Sequence, residues 1–226
     1  MILQAPHELR ALAEDLFGER LHLAERYAHI LQTAGAEQGL IGPREVDRIW
    51  ERHLINCALM VRALGEPGHV NSLADVGSGA GLPGLVIAIA RPDLEITLIE
   101  TMQRRVNFLN ETVDDLGLDN VEVIRARAEE LHGDRDFQIV TARAVAALDK
   151  LAKWTLPLVR EGGELVAMKG QSAALEVEKA AKTLKRLHGE NPTVETIQGT
   201  GVEVPTTVVR VSVFSRPVTK GTPRGK

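Results

Sequence analysis

The chain of 226 residues is long enough for one large domain, or one domain with a small appendage, and at 44% apolar residues it can bury a sizeable core. Its single cysteine, Cys57, excludes an internal disulfide and a clustered-cysteine zinc set. The net charge of −4 argues mildly against a nucleic-acid partner, but residues 1–140 hold 13 Lys and Arg against 23 Asp and Glu, while residues 141–226 hold 14 against 8. That basic C-terminal part can meet phosphate or be ordinary solvated surface.

Met1 to Gly18 is a charged amphipathic pattern without the apolar block of a secretory signal, and no run approaches a membrane span. The expectation is a cytoplasmic protein with no membrane partner and no metal. No feature fixes an oligomeric state, and a monomer is expected.

Residues 1–66 read as an N-terminal helical extension packed on the core. Leu9, Leu12, Leu16 and Phe17 recur at helical spacing after Pro6, and Leu21, Leu23, Tyr27, Ile30 and Leu31 continue it to Gly35. A third helix is expected from Pro43 to about Gly65, with Val46, Ile49, Trp50, Leu54, Cys57, Val61 and Leu64 on its apolar side. Part of its polar face is basic: Arg44, Arg48, Arg52 and His53 lie close together, either paired with Glu45, Asp47 and Glu51 or turned to an anionic partner or ligand.

From Val70 strands and helices alternate. Strands are expected at Val70–Val76, Glu95–Glu100, Val121–Arg125, Phe137–Thr141 and Glu164–Lys169, with helices near Leu85–Arg91, Met102–Leu116, Ala147–Val159 and Ala173–Leu187. Two closing strands, Thr193–Gln198 and Thr206–Phe214, read as an antiparallel pair at one edge. The expectation is an α/β, Rossmann-like, mostly parallel seven-stranded sheet over 67–216, followed by a flexible basic tail at 217–226.

The first strand ends in Asp75-Val-Gly77-Ser-Gly79-Ala-Gly81-Leu82-Pro-Gly84, immediately before a helix. Glycines let the backbone approach a ligand, and a helix start offers unpaired N–H groups. The stretch satisfies the G-x-G-x-x-G of dinucleotide-binding folds. It also resembles the first motif of class I S-adenosyl-L-methionine (SAM) dependent methyltransferases, in which an acid at the place of Asp75 faces the methionine ammonium.

Ligands of open parallel sheets lie beyond the carboxyl ends of the strands. There stand Gly77, Gly79, Gly81 and Leu82; Glu100, suited to ribose hydroxyls; Ala128 and Glu129, suited to an adenine edge; Arg143; and Lys169. The only tyrosine, Tyr27, lies upstream of the loop, so the Tyr–Lys pair of a short-chain dehydrogenase is missing and SAM fits better. Cys57 sits at an apolar helix position, not at a nucleophile's, and Thr141-Ala-Arg-Ala stands where many exocyclic-amine methyltransferases carry an N-P-P-Y-like turn. An acceptor that needs no covalent help, such as guanine N7, remains.

Arg52-His53, the 75–84 loop, Arg104-Arg105-x-x-Phe108-Leu109, Ala142-Arg143-Ala144 and Met168-Lys169-Gly170 together resemble the RsmG (GidB) family over roughly residues 20–216. The resemblance implies SAM-dependent methylation of guanine N7 in 16S ribosomal RNA, on free RNA or a 30S ribosomal particle. It implies that Gly77, Leu82, Ala128, Glu129 and Arg143 contact SAM, with Glu100 at the ribose, and that Arg143, Lys169 and His53 border the guanosine. Gly39-Leu40-Ile41 and Asn56 depart from the family's pattern. A methyltransferase of a small molecule or protein, or a non-catalytic SAM-binding protein, is the alternative.

Overall fold

The computed structural model describes residues 3–214, so the tail expected at 217–226 lies outside the described residues. Two helices open the chain, α1 (His7–Phe17) and α2 (Leu21–Ile30), joined by a 3-10 turn at Gly18–Arg20. Leu9, Leu12, Leu16 and Phe17 of α1 are buried, as their three-and-four spacing requires.

The single helix expected from Pro43 is corrected. The stretch starts as a 3-10 turn at Val46–Arg48, widens to π-helical turns at Trp50–Ile55, becomes α3 (Asn56–Leu59) and tightens to 3-10 at Met60–Ala63. The reason is burial: His53, Leu54, Ile55, Cys57, Ala58, Leu59 and Met60 are all inside. A segment covered nearly all round takes its pitch from its neighbours, not from an amphipathic period.

Seven strands form one sheet: β1 (Ser72–Val76), β2 (Glu95–Glu100), β3 (Val121–Arg125), β4 (Phe137–Thr141), β5 (Val159–Lys169), β6 (Glu190–Ile197) and β7 (Thr206–Val213). Their order is β3-β2-β1-β4-β5-β7-β6. The first five are parallel, β7 runs antiparallel to β5, and β6 antiparallel to β7. Chain order reverses between β1 and β4, which makes that crevice the switch point where ligands of such sheets bind.

Strand alternation divides the core between the two faces of the sheet. Leu73, Ile96 and Leu98 join a cluster with Leu85 and Ile87 of α4 (Gly84–Ala90), Phe108 of α5 (Gln103–Leu116), and Leu9, Tyr27, Leu31, Trp50 and Leu59 of the N-terminal helices. Ala74, Val76 and Ile99 face the other way, toward Leu148 and Leu151 of α6 (Leu148–Thr155) and Ala180 and Leu184 of α7 (Ala173–Arg186).

Several boundaries differ from expectation, and β1 starts at Ser72 rather than Val70. The helix expected to Val159 stops at Thr155, a 3-10 turn carries Pro157, and β5 starts at Val159 rather than Glu164. Its pairing with β4 jumps from Phe137 opposite Val159 to Ile139 opposite Glu164. Gly162, at φ +76°, and Gly163 absorb that irregularity, and a Cβ on Gly163 would lie 2.5 Å from the Gln138 carbonyl oxygen. Strand β6 begins at Glu190, with Pro192 inside a register shift, an arrangement open to proline because β6 is the edge.

Gly163→Ala is therefore expected to destabilise the protein by about 1–3 kcal/mol through overpacking against fixed backbone. Urea unfolding with an unchanged slope and a lower midpoint is the expected result.

Candidate ligand cavity and its cationic neighbour

The carboxyl ends of β1 to β4 open onto a cavity of about 690 Å³. Its floor is the loop after β1, represented by Gly77, Ser78, Gly79, Ala80 and Leu82. Glu100, Ala128, Glu129 and Arg143 line it from the ends of β2, β3 and β4, Trp154 from α6, and Leu40, Ile41, Glu45 and His53 from the N-terminal stretch. Leu40 and Ile41 belong to one of the departures from the family pattern. Asn56, the other, donates its amide N–H to Thr206 Oγ1 at 2.9 Å.

Gly77, Gly79 and Gly81 all have left-handed φ, at +74°, +59° and +94°. Gly79 faces open space: an added Cβ would meet only the Gly77 carbonyl, at 3.9 Å. Gly81 does not line the cavity. A Cβ there would come within 2.4 Å of Leu85, so this glycine serves loop-to-helix packing.

Glu100 is 3% exposed, and its carboxylate is well partnered. Oε1 accepts the Thr101 and Met102 N–H groups at 2.7 and 2.9 Å, Oε2 accepts Gly79 N–H at 3.0 Å, and Arg105 lies 3.5 Å from Oε2. Burial pushes its pKa up, but the Met102, Gly79 and Thr101 N–H groups and the Arg105 charge outweigh it, so Glu100 sits below the ordinary carboxylate range.

Asp75 is expected from sequence to face the ligand; the structure places it beneath the loop, fully buried and outside the cavity lining. The reason is the period of two along β1: Asp75 shares the face of Leu73, which looks toward α4. Oδ2 accepts the N–H of Gly84, the first residue of α4, at 2.9 Å, and Oδ1 has no partner. Burial raises its pKa to about 7 against the lowering pull of that bond and of Ser78.

Arg143 and His53 come together. Arg143 Nη2 donates to His53 Nδ1 at 2.8 Å and to the Arg52 carbonyl at 3.1 Å, and Nη1 donates to Cys57 Sγ at 3.1 Å. Burial and then the Arg143 charge push the His53 pKa down to about 4, so at neutral pH the ring is uncharged and Nδ1 accepts. Among the described residues no carboxylate forms an ion pair with Arg143, whereas Arg52 and Arg48 of the same basic face are matched by Glu45 and Glu51.

Lys169 lies apart from the glycine loop. Its Nζ donates to the Ala146 carbonyl at 2.6 Å and to Glu176 Oε2 at 2.9 Å. It lines a second cavity of about 640 Å³, which shares Arg143, Ala144 and Val145 with the first.

Three contributors escape the sequence. Tyr27 is fully buried and donates its hydroxyl to the Ala80 carbonyl at 2.6 Å, pinning the glycine loop to α2. Its one signal is being a lone tyrosine on an apolar helix face, since a buried phenol needs a partner. Trp154 reads only as a helix residue. Glu176 reads as one charge of a solvated helix face, yet it accepts from Lys169 and from the Leu148 N–H at the start of α6.

Among the described residues no group of His, Cys, Asp or Glu is arranged to hold a metal, and no helix is long and apolar enough to cross a membrane.

A family model described as rRNA small subunit methyltransferase G (GidB) matches residues 20–203. A relative named ribosomal RNA small subunit methyltransferase G, from Paenarthrobacter aurescens, is 57% identical over 206 residues, 91% of this chain and 94% of its own. One of the same name from Streptomyces coelicolor is 51% identical over 207 residues, 91% and 85% of the two chains. Among solved structures, a SAM-dependent O-methyltransferase from Thermotoga maritima is similar with TM-score 0.55 at 13% identity, over 76% of this chain and 71% of that one. M. jannaschii TYW2 in complex with AdoMet is similar with TM-score 0.54 at 16% identity, over 72% and 76%. At such identities the likeness is one of fold, the class I SAM-dependent methyltransferase fold expected from sequence.

The raised pKa of Asp75 has a signed consequence. A carboxyl group whose folded pKa exceeds its unfolded value of 3.8 contributes stability below that value and loses it as pH rises through about 7. Asp75→Asn keeps the neutral form at every pH. Without ligand it is expected to gain on the wild type between pH 4 and 7, by up to about 4 kcal/mol. Urea unfolding across that range checks this; parallel curves would show that Asp75 does not titrate there.

Proposed function

This chain belongs to the rRNA small subunit methyltransferase G family, and on that premise we propose that it methylates N7 of a guanosine in 16S ribosomal RNA with SAM as methyl donor. The observation that carries the proposal is the 690 Å³ cavity at the switch point, floored by a glycine loop open at Gly79 and flanked by the ionised Glu100. That is room for a nucleoside-sized ligand. Glu100 also suits it chemically: Thr101 and Met102 take up Oε1, while Oε2 accepts a single hydrogen bond, from Gly79, and can take a ribose hydroxyl beside Arg105.

In this reading Gly77, Gly79 and Leu82 hold the donor, Ala128 and Glu129 meet its adenine edge, and Glu100 its ribose. Asp75 and Gly81 act from below, by fixing the loop to α4. SAM supplies an electrophilic methyl group on a positively charged sulfur. The rest of the task is alignment. Guanine N7 carries a free lone pair, so no proton has to leave it, and the neutral His53 serves as the acceptor that orients Arg143 rather than as a base. Arg143, held only by neutral groups, keeps its full charge for the guanosine or its phosphate. The Lys169 charge is met by Glu176, so we assign it to the wall of the acceptor side. A small-molecule or protein acceptor, or SAM binding without turnover, is disfavoured by the names carried by the relatives.

Mass spectrometry of 16S RNA from a deletion strain is expected to show the loss of one 7-methylguanosine, restored by the wild-type gene and not by Arg143→Ala. An unchanged 7-methylguanosine content overturns the proposal. Glu100→Ala is expected to weaken SAM binding about 10- to 100-fold by isothermal titration, the range for losing hydrogen bonds to a charged group.

A further inference from the structure

We propose that the second cavity, about 640 Å³ at the carboxyl ends of β4 and β5, seats the acceptor purine of the RNA, and that Val204 and Pro205, on the link from β6 to β7, form the wall it lies against. The inference rests on the function proposed above and deepens it.

Position is the first argument. The two cavities share Arg143, Ala144 and Val145, so their contents face each other across the loop after β4. Ala144 takes a left-handed φ of +55°, a conformation a residue with a side chain rarely adopts, which holds that loop in a sharp turn between the two spaces.

Chemistry is the second argument. A base taken out of its stack needs flat apolar contact and hydrogen bonds along its edge. The chain has seven aromatic residues, and none lines this cavity. The apolar contact is aliphatic instead: Val145, 37% exposed, and Val204, 60% exposed, both face it. Gln171 brings an amide that both donates and accepts, and Asn56, whose one amide N–H goes to Thr206, adds its carbonyl oxygen and second N–H, to match the N–H donors and the carbonyl of guanine. Charge is the third argument. Arg143 lines the cavity without an ion pair among the described residues and suits a nucleotide's phosphate or carbonyl oxygen.

Val204→Glu tests the seat. At so exposed a position the substitution leaves the fold intact, and SAM affinity by isothermal titration is expected to match the wild type. With labelled SAM and unmethylated 30S particles, kcat/KM is expected to fall about tenfold or more, because a carboxylate would be forced against the base and would offer Arg143, on the same lining, the ion pair it lacks. Val204→Leu, which keeps the wall apolar, is expected to retain activity. Val194→Glu adds the same charge at a position on β6 that is 42% exposed and outside the cavity, and is expected to methylate normally. Wild-type kcat/KM in Val204→Glu, or an equal fall in Val194→Glu, overturns the seat. No transfer by the wild type would instead overturn the function on which the seat depends.

Discussion

The shape of the cavity floor depends on the bond between the Glu100 carboxylate and the Gly79 N–H, which ties the glycine loop to the end of β2 where the backbone bonds of Gly77 and Ser78 to the Ile99 carbonyl leave off. Glu100 and Asp75 are both buried carboxyl groups within reach of the same glycine loop, and their environments push their pKa values in opposite directions. The difference is the supply of donors. Glu100 receives three backbone N–H groups and a neighbouring guanidinium, enough to keep a charge inside the protein. Asp75 receives one backbone N–H on Oδ2 and nothing on Oδ1. One carboxyl is thus held as an anion beside the ligand space, and the other holds up the loop from beneath.

The N-terminal helices complete this arrangement. Tyr27 fixes the loop through Ala80, while Arg52, His53 and Cys57 fix Arg143 through a carbonyl, a neutral imidazole and a thiol. Their choice of neutral groups matters. A carboxylate in their place would position Arg143 as firmly and cancel its charge. Burial keeps His53 uncharged, and so keeps it an acceptor, over the whole range in which an ordinary histidine would titrate.

Much of this was legible in the sequence. The strand–glycine–helix stretch, the alternation of strands and helices, the antiparallel edge pair and Glu100 at a strand end follow from periodicity and from glycine chemistry. The direction of Asp75 was also within reach, since counting by two from Leu73 along β1 turns it toward α4. Other features depend on contacts between distant segments. The pitch of residues 46–63 comes from burial on all sides, and the early start of β5 from a close approach of Gly163 to Gln138. Lys169 reads as a free cation at a strand end until α7 is packed and Glu176 reaches it.

The uneven charge of the chain follows the two cavities by segment, not by the side chains that line them. Most of the first cavity is built from residues 1–140, the acidic part, while the second is built largely from residues 141–226, the basic part. The charged side chains that line the cavities, on the two sides of the loop after β4, do not repeat that division: the first has Glu45, Glu100 and Glu129 with Arg105, Arg127 and Arg143, and the second has Arg143 and Lys169 with Glu176. Arg143 stands on that loop. Its hydrogen-bond partners are neutral and it lines both cavities, whereas the carboxylate of Glu100 lines the first and not the second.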